Sequence, residues 1–211
     1  MSAVQRLLFR IKGLKQGGAI LIAPDSTTEG LNVKYELRYN RLSEAIRRFA
    51  VCRYLYDEAR IQTNQHKLPD QQSNHKQLAT LNYECRESEK EVEAAIWFVA
   101  LLTRIDGLVL MDPALKVIGF GVEITTSQEP MSVKKALSGD ATKETRKKFN
   151  YTYFGTRHRS MMRFCFANPG SFGFVISQDG DVRAVTKVDE DVCMWEDFRL
   201  LPEITPQDTV M

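Results

Sequence analysis

The chain has 211 residues, of which 43% are hydrophobic and 27% are charged, and these proportions exclude a wholly disordered or fibrous protein. Its 29 basic and 27 acidic residues leave a net charge of +2, which is too small for a protein that coats nucleic acid without sequence preference. We therefore expect no nucleic-acid partner, and we expect any strong anion binding to come from a local cluster of basic side chains.

The apolar segments are too short for a membrane span. The longest apolar run lies around residues 94–102, well below the roughly 18 residues that a span needs, and the first 18 residues lack the features of a secretory signal. The cysteines are far apart and form no C-x-x-C pair: Cys52, Cys85, Cys165 and Cys193. We expect a cytoplasmic protein with reduced cysteines, no disulfide framework and no zinc site.

In the first part of the chain, hydrophobic periodicity predicts two helices and two strands. Apolar residues at helical spacing predict a short amphipathic helix over 4–11, which stops near Gly13. The apolar run 17–24, bounded by glycine and proline, predicts a buried strand. Alternation over Val33–Tyr39 predicts a half-buried strand, and the helical period returns over Leu42–Ile61.

A polar stretch over residues 62–77 follows these elements. Nothing in it can fill a core, so it predicts a mobile loop or an insertion. Its two histidines, His66 and His75, have no metal-ligand spacing. Ser88 and Glu91 then match a capping box, which predicts that a helix begins there.

The second half is richer in strands. Residues 107–111 and 116–122 flank a short Asp-Pro-Ala turn and predict a hairpin. A short helix is predicted over Met161–Ala167, and a second hairpin over 172–177 and 182–186 around an Asp-Gly turn. Helices interleaved with at least six strands predict a single α/β domain with a mixed β-sheet wrapped by helices.

The first candidate site is the segment Gly155-Thr156-Arg157-His158-Arg159-Ser160 at the start of a predicted helix. Guanidinium groups bind phosphate oxygens bidentately, and a helix N-terminus adds backbone N–H donors and a favourable dipole. The segment suits a di- or triphosphate. The alternative is a solvated basic turn.

Two further segments are candidates. Asp106-Gly107 precedes an apolar strand. The carboxylate at this position suits a divalent metal or a sugar hydroxyl, and the glycine allows a ligand to approach the backbone. The alternative is a simple turn. The basic run Lys143–Lys148, followed by Tyr151 and Tyr153, suits steering of an anionic substrate or stacking of single-stranded nucleic acid. The alternative is a charged surface helix face, and the balanced net charge opposes the nucleic-acid reading.

The order of these motifs resembles the diadenylate cyclase domain family. The motifs that carry the resemblance are Gly18-Ala19-Ile20-Leu21-Ile22, Asp106-Gly107-Leu108, Gly155-Thr156-Arg157-His158-Arg159 and the Val-Ile-Ser strand followed by Asp-Gly. The resemblance covers about Gly17–Thr186. It implies a mixed sheet wrapped by helices, and condensation of two ATP into cyclic di-AMP with release of pyrophosphate.

The resemblance also implies roles for individual residues. Asp106 would be catalytic and would bind Mg²⁺ or Mn²⁺ to activate a 3′-hydroxyl. The remaining substrate-binding residues would be Gly107, Leu108, Gly155, Thr156, Arg157, His158, Arg159 and Ser160, with the Arg-His-Arg group on the triphosphate and the hydroxyls adding contacts. Because two sites meet face to face in that family, the resemblance implies a homodimer or a higher oligomer.

The chain departs from the family pattern at specific positions. Leu108 replaces a smaller alanine, and Gln178 replaces a glutamate of the metal site, where an amide is a poorer ligand for a hard cation. Glu123 is the candidate replacement for that charge. These departures keep a second reading open, in which the domain is a catalytically inactive sensor that binds ATP or a cyclic nucleotide.

The same resemblance divides the chain into segments. Residues 17–190 would form the nucleotide-binding domain with an insertion at 57–87, preceded by the N-terminal helix that periodicity predicts within residues 1–16 and followed by a C-terminal tail over residues 191–211.

Overall fold

The fold is taken from a computed structural model, which describes residues 1–24, 29–65, 71–139 and 141–196. The helices are α1 (Ala3–Gly13), α2 (Arg41–Gln65), α3 (Gln71–Leu102) and α4 (Thr156–Ala167), with a 3-10 turn at Lys143–Thr145. The strands are β1 (Gly18–Ile22), β2 (Leu31–Tyr39), β3 (Leu108–Met111), β4 (Val117–Ile124), β5 (Val133–Ala136), β6 (Arg146–Lys148), β7 (Phe172–Ile176), β8 (Val182–Val188) and β9 (Asp191–Trp195).

The strands of the described segments form one mixed sheet in the order β2-β4-β3-β1-β7-β8-β9-β5-β6. The parallel pairs are β1 with β3 and β5 with β9, and the other neighbours are antiparallel. Because β1 and β3 are parallel, the residues that precede them lie at the same edge of the sheet. The end of β7 lies at this edge too, since Gly18 pairs with Ile176.

Helices cover both faces of the sheet. On one face, α1, α2 and α3 pack their apolar residues against Ile20, Val109, Phe174 and Ile176. On the other face, α4 buries Met161, Met162, Phe164 and Cys165 against Leu21, Leu110, Val175 and Val185. Because strand side chains alternate between faces, each central strand supplies both cores, which confirms the prediction of a single α/β domain around a mixed sheet.

Several sequence predictions are confirmed locally. Helix α1 has a capping box between Ser2 and Gln5 and buries Leu7, Leu8 and Ile11. The hairpins β3-β4 and β7-β8 both form antiparallel pairs as expected.

The polar stretch is where the predictions were wrong. Helix α2 continues to Gln65 and α3 starts at Gln71. The described part of 62–77 is therefore helical rather than a loop. His66 lies outside the described residues. Ser88 does not cap a helix, because it lies well inside α3. The proposed insertion therefore belongs to a long helical hairpin, whose solvent-facing surfaces need no apolar residues.

The C-terminal boundary also differs. Strand β9 pairs with both β8 and β5, so the sheet continues past residue 190 into the segment assigned to a tail. Residues 197–211 lie outside the described part of the chain. Within the described residues, no helix combines the length and the apolar character that crossing a membrane requires.

Candidate functional site

A cavity of about 540 Å³ opens where the start of β3, the end of β4 and the first turn of α4 meet. Six of the residues singled out from the two main motifs line it: Asp106, Gly107, Leu108, Thr156, Arg157 and Ser160. Residues that are far apart in the sequence thus share one cavity, with an acidic group on one wall and a basic group on the other.

Asp106 enters the cavity from the connection between α3 and β3, and its side chain is exposed. The neighbouring Gly107 has a φ of 111°, and a Cβ at this position would lie 2.5 Å from the backbone of Gly121. The glycine is therefore required for the close passage of β3 and β4, beside a register irregularity in their pairing. This packing requirement is additional to the expected approach of a ligand to the backbone, which stays a prediction.

Helix α4 brings its first turn to the opposite wall. Gly155 is the N-cap residue, and no side chain in the described part of the chain caps the first-turn N–H groups. The cavity is lined by the first, second and fifth residues of the helix, Thr156, Arg157 and Ser160. Successive helix residues are rotated by about 100°, so these three positions lie on adjoining faces. The wall thus offers a guanidinium, two hydroxyls and the positive end of the helix dipole, which are ligands suited to phosphate.

His158 turns away from this wall, onto Phe154. The two ring centroids are 4.9 Å apart, and the Arg183 guanidinium also lies over the Phe154 ring, at 5.2 Å. Burial, followed by repulsion from Arg183 and Arg157, lowers the pKa of His158 to about 4. His158 is therefore neutral near pH 7 and does not join Arg157 as a second cationic phosphate ligand.

Arg159 points in a third direction. Its charge acts on Glu129 and Tyr151, a pair that is itself linked by a hydrogen bond of 2.8 Å from the tyrosine hydroxyl to the carboxylate. The same carboxylate accepts hydrogen bonds from Arg163. Among the expected phosphate ligands, the structure thus brings Arg157 to the cavity with Asp106, and places His158 and Arg159 on other sides of α4.

Glu123 lies on the rim of the cavity, but its carboxylate is engaged. It forms an ion pair of 2.6 Å with the Lys34 ammonium and accepts a hydrogen bond of 3.2 Å from Asn32, and these contacts lower the pKa of Glu123. Lys34 is also attracted by Asp106, which contributes to the raised pKa of the lysine, after its hydrogen bond to Glu123. The positive charge of Lys34 therefore offsets part of the negative charge of both Glu123 and Asp106.

Strand alternation explains why Glu123 faces these partners. Val122 and Ile124, on either side of it, pack in the core beneath α4, so the Glu123 side chain projects from the other face of the sheet. Gln178 is exposed in the β7-β8 turn, at the same edge of the sheet as Asp106. Its strand is two places from β3, a separation of about 10 Å, and it does not line the cavity.

The donor set can be compared with what a divalent cation needs. Within the described residues, no cluster of three or more His, Cys, Asp or Glu side chains forms a protein-only metal site. Mg²⁺ is commonly held by one or two carboxylates together with waters and substrate phosphates. The exposed Asp106 fits this kind of site, whereas the Glu123 side chain projects from the other face of the sheet and is paired with Lys34.

The basic run Lys143–Lys148 does not form the expected helix face. It comprises the 3-10 turn and the short edge strand β6, in which the Arg146 side chain is 5% exposed and paired with Asp189 at 2.9 Å and with Asp191 at 3.5 Å. The neighbouring Tyr153 is 89% exposed. The run thus combines a structural arginine with edge-strand lysines, which protect a sheet edge from pairing with other chains.

Two residues that the sequence reasoning did not select belong to this site: Lys34 and Thr125. Thr125 lines the cavity just after β4, and Lys34 pairs with Glu123. The alternating pattern of β2 placed Lys34 on the polar side of the strand. The residues near Lys34 in the sequence did not indicate which carboxylates would lie opposite it.

No protein-family model matches the chain, and no curated protein matches its sequence significantly.

Proposed function

We propose that this domain binds ATP in the cavity between β3 and α4 and, as a divergent diadenylate cyclase, condenses two ATP into cyclic di-AMP with release of pyrophosphate. The observation that carries the proposal is that Asp106 and Arg157 line the same cavity. A carboxylate opposite a guanidinium suits phosphoryl transfer, because this chemistry depends mainly on positioning and charge neutralisation.

The phosphate side of the site consists of Arg157, Thr156 and Ser160. Within the described residues Arg157 forms no ion pair with an acidic group, so its guanidinium is free to bind phosphate oxygens. The uncapped N–H groups of the first turn of α4 add donors for the same oxygens. A cavity of about 540 Å³ is within the range that accommodates a nucleotide-sized ligand.

The carboxylate side of the site consists of Asp106. It would hold Mg²⁺ or Mn²⁺, which when bound would neutralise phosphate charge and favour ionisation of the 3′-hydroxyl. Lys34 keeps a positive charge near Asp106. Both Asp106 and Arg157 are exposed, which leaves the cavity open to a second copy of the chain carrying the other ATP. A face-to-face homodimer and a cytoplasmic location, where ATP is available, are parts of this proposal.

The second candidate is an inactive sensor that binds ATP or a cyclic nucleotide. Two observations favour it: Glu123 is paired with Lys34, and Gln178 does not line the cavity. Among the described residues that line the cavity, Asp106 is therefore the carboxylate that is left to bind a metal. A receptor needs the phosphate-binding wall but no second metal ligand.

One product assay separates the two candidates. The protein is incubated with ATP and either Mg²⁺ or Mn²⁺, and the nucleotides are separated by chromatography. A cyclase yields cyclic di-AMP and pyrophosphate, and the yield disappears in Asp106→Asn but persists in Lys147→Ala, which changes the edge strand β6, six places from β3 in the sheet. Intact ATP with both metals, together with measurable ATP binding, supports the sensor. Absence of binding as well overturns both.

A further inference from the structure

Two cysteines that the sequence separates by 33 positions meet inside the helical hairpin. The sulfur atoms of Cys52 in α2 and Cys85 in α3 are 2.9 Å apart, and the residues are only 9% and 7% exposed. A disulfide bond has a length of about 2.05 Å, so a small change in side-chain rotation brings the two sulfur atoms within bonding distance.

We propose that Cys52 and Cys85 form a reversible disulfide that joins α2 to α3, made by exchange with a low-molecular-weight disulfide that reaches Cys52 through an adjoining groove. This proposal concerns the helical hairpin and does not depend on the function assigned to the cavity. The sequence predicted reduced cysteines with no disulfide framework, and all four are free thiols in the structure, but two of them are in contact.

The groove gives a small reagent access to Cys52. It has a volume of about 550 Å³, and Cys52 lines it together with Val51, Leu55 and Tyr83. The rim carries basic groups on α2 and acidic groups on α3: Arg47, Arg48, Glu84, Glu87 and Glu91. Arg48 already pairs with Glu91 at 2.9 Å, and Glu87 pairs with Lys90 at 2.8 Å. Among the described rim groups, Arg47 and Glu84 therefore remain to bind a carboxylate and an ammonium group of a small zwitterionic peptide disulfide. Cys85 does not line the groove, so the reagent meets Cys52 first.

The exchange is balanced in two steps. The Cys52 thiol loses its proton to water, and its thiolate attacks one sulfur of the disulfide RSSR, which forms a Cys52–SR mixed disulfide and releases RS⁻; this RS⁻ takes up a proton from water and becomes RSH. The Cys85 sulfur then attacks the Cys52 sulfur, which forms the Cys52–Cys85 bond and expels the second RS⁻, and the Cys85 proton passes to that leaving group. The protein dithiol is oxidised and RSSR is reduced to two thiols.

The environment of Cys85 agrees with this order of attack. Burial, followed by its hydrogen bond with Cys52, raises the pKa of Cys85 to about 11. Cys85 is therefore a neutral thiol near pH 7, and it reacts when the mixed disulfide has placed an electrophilic sulfur beside it.

The other cysteines provide internal controls. Cys165 and Cys193 have no exposed surface, and burial raises the pKa of both thiols, to about 12 for Cys165. Within the part of the chain that the structure describes, neither lies in hydrogen-bonding contact with another cysteine. They should remain reduced under conditions that oxidise the pair.

The test is a peptide map of the native chain after incubation with oxidised glutathione. Free thiols are alkylated under denaturing conditions, the protein is digested with trypsin without reductant, and the peptides are identified by mass spectrometry. The expected product is a link between peptides 49–53 and 77–86, with an intact mass lower by about 2 Da and full reversal by dithiothreitol. Absence of the link, or a link that forms only after denaturation or between two chains, overturns the proposal.

Matched single variants test the order of attack. Cys85→Ser should accumulate glutathione on Cys52, because the resolving thiol is missing. Cys52→Ser should take up far less at Cys85, which is remote from the groove. Equal modification of both variants contradicts entry through the groove, even where the wild-type link forms.

Discussion

Asp106 and Arg157 line the same cavity, although one precedes the buried strand β3 and the other lies in the first turn of α4. The two residues reach the cavity by different routes. The parallel start of β3 beside β1 sets the position of Asp106, whereas the burial of Met161 and Phe164 beneath the sheet sets the rotation of α4 and so the direction of Arg157. The charge pattern of the site therefore depends on packing in the core.

The arginines of the motif should differ in their effect on ATP binding. Arg157→Ala should weaken ATP binding at least about tenfold, since a charge-assisted contact to phosphate is lost. Arg159→Ala should leave the affinity nearly unchanged, because Arg159 acts on the Glu129 and Tyr151 pair. Isothermal titration calorimetry of both variants measures the difference, and equal losses would contradict the separation of the two side chains by α4.

Asp106 should affect turnover more than nucleotide binding. In Asp106→Asn, we expect cyclic di-AMP formation to fall below detection while ATP without added metal binds as well as, or better than, in the wild type. The physical reason is that the amide removes a metal ligand and also a negative charge that repels phosphate. Calorimetry in the presence of a chelator, alongside the product assay, checks both parts. A large loss of metal-free binding would argue against this role.

His158 should make stability depend on pH. Its pKa is about 4 in the folded chain, against 6.5 for the unperturbed group. The unfolded chain therefore binds more protons between these values, so the free energy of unfolding is fully retained above pH 6.5 and falls as the pH decreases towards 4. The loss should not exceed about 3 kcal/mol, and solvent screening reduces it.

The variant His158→Phe isolates this effect, since phenylalanine keeps the ring contact with Phe154 and does not titrate. Urea unfolding between pH 4 and 7.5 should show a flatter pH profile for the variant than for the wild type. Parallel profiles would show that other groups, chiefly carboxylates, account for the dependence.

Gly107 should be intolerant of a side chain. Gly107→Ala places a Cβ against the Gly121 backbone at a φ of 111°, and we expect the free energy of unfolding to fall by about 2–4 kcal/mol. Gly139→Ala is the matched control, because its Cβ would meet no atom within 4 Å. Chemical denaturation of the two variants compares them; a similar small change in both would mean that β3 and β4 separate easily.

Local patterns predicted much of the fold. The period of α1, the alternation of β2 and the Asp-Gly turn before β8 are set by neighbouring residues, so they are readable without the tertiary structure. The same logic failed at Ser88, where a capping pattern lies inside α3. A cap pattern marks a helix start only when the preceding residues leave the helix, and here α3 continues because it packs along α2.

The sequence by itself determined the α/β class, the main strands and the chemical types gathered in the two motifs. The tertiary structure alone decided which of those groups meet. Arg157, His158 and Arg159 are consecutive in the sequence, but a helix rotates them to three different surroundings; Cys52 and Cys85 are distant, but two packed helices bring their sulfur atoms together. Composition and periodicity depend on nearest neighbours along the chain, whereas side-chain direction depends on which face of an element is buried.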